Sequence, residues 1–196
     1  SICKQDDKKW INRVIESGME YEDTLVNQKF IWSYYLLLYV EERYDESLNL
    51  LEKLFDYADE KGYDVKGDYF VEAGLLYSLK GDYAKELNLY DKAVLAYQKE
   101  GSENLTYAYS SLGTLYETVG DLDQALSYQQ KAYEVSKYMK KDFIKYYNTC
   151  NNLLSIANIY AAKGKYEEAN NFYRRAIKDG FLQRNTNQVL TCYSDY

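Results

Sequence analysis

One pattern of small, aromatic and turn residues is written four times along this 196-residue chain. Its sharpest form reads Leu112-Gly113, Tyr116, Gly120-Asp121, Ala125 and Ala132. Downstream it returns as Ile156-Ala157, Tyr160, Gly164-Lys165, Ala169, Tyr173 and Ala176, and upstream it is Ala73-Gly74, Tyr77, Gly81-Asp82, Tyr90 and Ala93. A worn copy surrounds Tyr35, Leu38, Tyr44, Leu51 and Leu54. Each copy has the make-up of two helices joined at a turn. A helical hairpin cannot bury its apolar face alone, so repeated hairpins must stack on one another. The expected fold class is therefore all-α, a solenoid of antiparallel helical hairpins.

The residue types explain the hairpin. Gly81, Gly120 and Gly164 suit the left-handed residue that ends a helix, where a side chain is strained. Asp82 and Asp121 follow as caps, their carboxylates accepting from free N–H groups of the next helix. Gly74, Gly113 and Ala157 let the paired helix approach closely, as do Ala93, Ala132 and Ala176 from the second helix. Tyr77, Tyr116 and Tyr160 are expected in the core, and Tyr44, Tyr83 and Tyr166, which open second helices, between hairpins.

These residues resemble the tetratricopeptide repeat (TPR) family over residues 28–180, nearly four-fifths of the chain. The resemblance implies a right-handed superhelix with a concave groove. Two copies depart from the pattern: the second places Glu86 at a small position, and the first has Tyr35 and Ser47 there and no turn glycine. The four hairpins are expected at about 28–66, 67–105, 106–149 and 150–180. Their period exceeds the family's usual ~34 residues, with Tyr35, Gly74, Gly113 and Ala157 spaced 39, 39 and 44 apart. The chain has no Pro to stop the second helices, so they are expected to run on for extra turns. In this it is similar to the longer-helix groups, kinesin light chains and bacterial pheromone-sensing regulators. Residues 1–27, with Trp10, Ile11, Val14 and Ile15 at helical spacing, are expected to cap the first hairpin. Residues 181–196, where Val189, Leu190 and Tyr193 begin another amphipathic pattern, are expected to form a lid or a truncated next repeat.

Composition narrows the function. There is no His, which removes the commonest general base and metal ligand, and no Gly-rich phosphate loop. Carboxylate pairs such as Glu41-Glu42 and Glu167-Glu168 are explained by solvation. Cys3, Cys150 and Cys192 form no metal spacing and no CxxC pair, and reduced thiols in a cytoplasm are the default. A lipid-anchored form through Cys3 is disfavoured by the Ser1-Ile2 that precedes it. No enzyme activity, cofactor or metal is expected. The longest apolar stretch, from Phe30 to Val40, is about half the ~20 residues a bilayer span needs, so no membrane insertion is expected. Net charge is −7, an unfavourable balance for direct nucleic-acid binding. It is unevenly spread: residues 1–130 carry 13 Lys/Arg against 25 Asp/Glu, and residues 131–196 carry 11 against 6.

The resemblance places the inward face of each first helix in the groove. Spacing then assigns Lys29, Trp32, Leu36 and Tyr39 to the first copy and Asp68, Val71, Leu75 and Ser78 to the second. Tyr107, Ser110, Thr114 and Glu117 belong to the third, and Asn151, Leu154, Asn158 and Ala161 to the fourth. Trp32 and Tyr39 are anchor candidates for an extended or helical segment. Asn151 and Asn158 lie seven apart on one face and suit bonding to a peptide backbone. A clamp for a terminal carboxylate, as in chaperone-type members, is not expected, because Trp32, Val71, Ser110 and Ser111 stand where its cationic and amide residues would be. The expected function is a non-catalytic protein- or peptide-binding module, the sensing or docking part of a larger bacterial regulatory protein. The alternatives are self-association, as in a homodimer, and a regulator that changes shape on binding a peptide.

Overall fold

The computed structural model describes residues 24–140 and 142–182. Among them are eight helices and no strand: α1 (Thr24–Val40), α2 (Tyr44–Lys61), α3 (Gly67–Leu79), α4 (Tyr83–Glu100), α5 (Leu105–Thr118), α6 (Leu122–Ser136), α7 (Asp142–Ala162) and α8 (Tyr166–Leu182). The expected capping segment around Trp10, Cys3, Cys192 and the expected terminal segment 181–196 beyond residue 182 lie outside the described residues; residues 181 and 182 end α8. Consecutive helices pack as pairs, most extensively α3 on α4, α5 on α6 and α7 on α8. Each pair also packs on the next, and α3–α5 and α5–α7 touch directly, so first helices are neighbours along one side of the stack. The molecule is an all-α solenoid of helical hairpins.

The small residues do what hairpin packing requires of them. A Cβ on Gly74 would lie 2.4 Å from the Tyr90 ring, and one on Gly113 would lie 2.7 Å from the Gln129 amide. Ala93, Ala132, Ala157 and Ala176 are fully buried. The first copy lacks this device. Tyr35 fills the small position, is buried, and reaches across to Glu72 of α3, and α1 and α2 approach each other less extensively than the later pairs.

All four turns share one geometry. The N–H groups of Gly81, Gly120 and Gly164 donate to carbonyls three residues back, and those of Asp82, Asp121 and Lys165 to carbonyls five back. Glu42 and Arg43 make the same two bonds. The glycines have φ of 71°, 85° and 72°, and Glu42 adopts 58°. The worn copy therefore folds its turn like the others, with a side chain in a conformation L-residues disfavour. Asp82 and Asp121 cap as expected, accepting from the Lys85 and Gln124 amides at 3.2 and 3.0 Å.

Two expectations are corrected. Second helices were expected to run on for extra turns, and α2 and α4 reach 18 residues each before Gly62 and Gly101, at φ 70° and 61°, terminate them. In the third copy α6 has only 15 residues, and the long spacing is taken up by α7 with 21. Tyr44, Tyr83 and Tyr166 were expected between hairpins, yet they are 36%, 43% and 68% exposed. Each opens its helix directly after the turn, at the rim of the stack, where the ring keeps a solvent-facing side. The core tyrosines behave as expected: Tyr77 is buried, and Tyr116 and Tyr160 are partly buried, stacking on Tyr128 and Phe172.

Candidate functional site

The stacking of α1, α3 and α5 forms a recess of about 490 Å³. α1 contributes Trp32, held by its tilted contact with Tyr35 and an edge-on contact with Tyr69 at 5.2 Å. α3 contributes Asp68, Val71, Leu75 and Ser78, which are three or four residues apart and so share a face. From α5 come Tyr107, Ser110 and Thr114. Eight of the expected groove residues thus line one cavity, Trp32, Val71, Leu75, Tyr107 and Thr114 among them.

The remaining expected residues lie elsewhere. Lys29, Leu36 and Tyr39 are exposed on α1 and do not line the recess; the Tyr39 ring leans on Tyr35 and Tyr44 instead. Leu154 is a correction. It is 8% exposed and packs with Cys150, Ala169 and Tyr173, because α7 is covered by both α6 and α8. Asn158 is exposed, but its side-chain carbonyl accepts from the Tyr173 hydroxyl and ties α7 to α8. Asn151 is partly buried. Its neighbour Asn152 makes the contact between hairpins, accepting from Ser110 at 2.8 Å and donating to Thr106 at 3.3 Å.

Several lining residues escaped the sequence reading: Glu72 of α3, Tyr90 and Tyr97 of α4, and Asn104 and Ser111. Glu72 had a signal, standing one helical turn after Asp68. Tyr90 and Tyr97 had another, since Gly74 and Gly67 leave the holes their rings fill.

The polar groups of the recess form a small network. Asp68 accepts from the Tyr97 hydroxyl at 2.6 Å and from the Asn104 amide at 3.2 Å through the same oxygen. Glu72 accepts from the Tyr35 hydroxyl at 2.5 Å. Burial pushes the Glu72 carboxyl above the usual carboxylate range, the Tyr35 bond opposes this, and the Asp68 charge adds to it. Burial likewise raises the Tyr97 phenol, reinforced by the bond to Asp68. Beneath lies Glu86, 3% exposed, with Oε2 unpartnered among the described residues. Burial raises its carboxyl too, opposed by hydrogen bonds with Ser78 and Tyr90, both of the recess lining.

A second recess of about 510 Å³ lies between α2 and α4, with Phe55 stacked on Phe70 in its wall. Its cations are already engaged, Lys99 with Asp64 and Lys92 over the Phe70 ring, so it offers less to a ligand. Among the described residues no cluster of side chains is suited to a metal ion, and no helix is long and apolar enough to cross a membrane.

Sequence profiles described as tetratricopeptide repeat match residues 69–137 and 153–184. No curated protein matches the chain by sequence. Among solved structures, BtubC (BKLC) from P. vanneervenii superposes with a TM-score of 0.78 at 15% identity, over 91% of this chain and 74% of that one. TPR-like repeats of a kinesin light chain from Podosopora anserina superpose with a TM-score of 0.66 at 13% identity, over 92% and 89%. NprR, in complex with its cognate peptide NprX, superposes with a TM-score of 0.60 at 17% identity, over 96% of this chain and 56% of that one. At such identities the likeness is one of fold.

Proposed function

Since the chain belongs to the tetratricopeptide repeat family, we propose that it is a non-catalytic module that binds a peptide or protein segment in the recess between α1, α3 and α5. The observation that carries this reading is the recess itself. Three successive first helices bring an exposed-edged indole, two aliphatic side chains and several hydroxyls to one cavity, in the size range of ligand sites generally. Apolar surface supplies affinity, and the hydroxyls and the Asn104 amide fix the main chain of an extended segment. The complex of NprR with a peptide supports the reading by analogy of fold. In a longer protein such a module serves as the sensing or docking part.

The test is to pan a displayed random-peptide library on the protein and on a Trp32→Ala/Leu75→Ala variant of unchanged helicity. Peptides retained by the first and lost by the second are expected. Peptides held equally by both would move the binding site off this face.

Self-association is a second reading, favoured by Leu36, Leu37 and Val40, which are exposed together at the end of α1. Light scattering separates the two: a dimer that dissociates on Leu37→Glu/Val40→Glu substitution would use this surface rather than the recess.

A further inference from the structure

Resting on the recess reading above, the geometry points to one class of occupant: a peptide segment that places a Lys or Arg side chain in the recess beside Asp68, Glu72 and Trp32, with apolar neighbours against Val71 and Leu75. The first argument is charge. Asp68 and Glu72 stand at i and i+4 on α3, where like charges repel, and both face the cavity. No Lys or Arg lines it, and among the described residues none forms an ion pair with either carboxylate. Elsewhere on the surface, acids such as Asp45, Asp64 and Asp123 have lysine partners. Two carboxylates thus share the recess without a cationic partner among the described residues.

The second argument is the donor set. The hydrogen bonds that Asp68 and Glu72 accept come from neutral groups, Tyr35, Tyr97 and Asn104, and engage one oxygen of each carboxylate. These bonds orient the two groups without cancelling their charge. Glu86, 3% exposed and with Oε2 unpartnered among the described residues, adds a third carboxyl, hydrogen-bonded to Ser78 and Tyr90 of the lining. The third argument is the wall. Trp32 and Tyr107 line the same recess as the carboxylates, and a guanidinium or ammonium is attracted to aromatic rings and carboxylates alike. An acidic segment would meet repulsion from the same groups, so the recess selects by charge sign as well as by shape.

The same panning decides the proposal, run on the wild type and on Asp68→Asn/Glu72→Gln. Wild type is expected to enrich peptides with Lys or Arg at one position flanked by apolar residues. The double variant is expected to keep the apolar preference and lose the basic one. Fluorescence anisotropy of a selected peptide then compares Arg with citrulline at that position. Citrulline is expected to bind about tenfold more weakly to the wild type, the scale of one charge-assisted hydrogen bond, and equally to the variant. Because Asp68 also holds Tyr97 and Asn104, Glu72→Gln alone provides a milder variant, and its effect is expected in the same direction. Trp32-dependent peptides with no basic preference, or an acidic one, would overturn the ligand class while leaving the groove reading intact. If no bound peptide depends on Trp32, the groove reading fails and this inference with it.

Discussion

Gly74 shows how a single atom decides hairpin packing. In an exposed helix interior, Gly→Ala stabilises by about 1 kcal/mol. Here the added Cβ would meet the Tyr90 ring at 2.4 Å, and that ring is itself 1% exposed, so either the ring must turn or the helices must part. The overpacking term of about 1–3 kcal/mol therefore wins. Gly74→Ala is expected to lower the melting temperature by several degrees, and an unchanged or raised one would refute the packing argument. Glu86 is the opposite case, a residue whose charge the fold tolerates. Burial raises its carboxyl above the ordinary value, so the folded protein holds the proton more tightly than the unfolded chain does. Stability from this group is then greatest below the unfolded-state pKa and falls as the pH rises toward the raised one. Glu86→Gln is expected to stabilise by about 1 kcal/mol at neutral pH, the lower end for an unsatisfied buried group. The gain should vanish below about pH 3, where the side chain is protonated in both states. Urea denaturation at the two pH values checks it; an equal effect at both would mean that charge is not the cause.

At the scale of the element, the four turns are one structure made from unequal sequences. Glu42 adopts the left-handed conformation that glycine supplies in the other three copies. Its side chain is absent from the ion pairs that join Arg43 to Glu41 and Glu46, so little is lost by removing it. Glu42→Gly is expected to stabilise by up to about 1 kcal/mol, the relief of left-handed strain less the added entropy of the unfolded chain. A loss of stability in thermal melts would show that the side chain contributes a contact of its own. The same comparison explains why the first copy looked worn. What varied was the side chain filling the turn and the small position, while the backbone hydrogen bonds were kept.

Across the whole molecule, stability in a stack of repeats is a sum of hairpin and interface contributions. The pairs α3–α4, α5–α6 and α7–α8 close tightly over Gly or Ala, whereas α1 and α2, with Tyr35 at the small position, approach each other less extensively. Local opening should therefore be easiest in the first hairpin. Hydrogen exchange followed by mass spectrometry is expected to show lower protection in α1 and α2 than in α5 through α8. Uniform protection would indicate that the stack opens as one unit. The recess spans this gradient, with Trp32 on the looser side and Tyr107 on the firmer one. A ligand bridging them should raise protection in α1 most.

Features that depend on local chemistry are legible along the chain. Glycine at the turns, aspartate after it and alanine at the helix contacts act through φ angles, nearby N–H groups and one side chain's width, and so were legible at Gly81, Asp82, Gly113 and Ala132. Helical spacing also placed Trp32, Val71, Leu75, Tyr107 and Thr114, which the stack brings round one cavity. The remaining features arise from how the helices stack. Successive residues on a helix differ by about 100° in direction, so it took the placement of α5 to make Asn152 the bridge between hairpins. Leu154 left the surface because α6 and α8 both cover α7. Asp68 and Glu72 became a shared negative site only when Tyr35 of α1 and Tyr97 of α4 closed around them. That meeting of two hairpins depends on how the helices stack, which residue spacing along the chain does not encode.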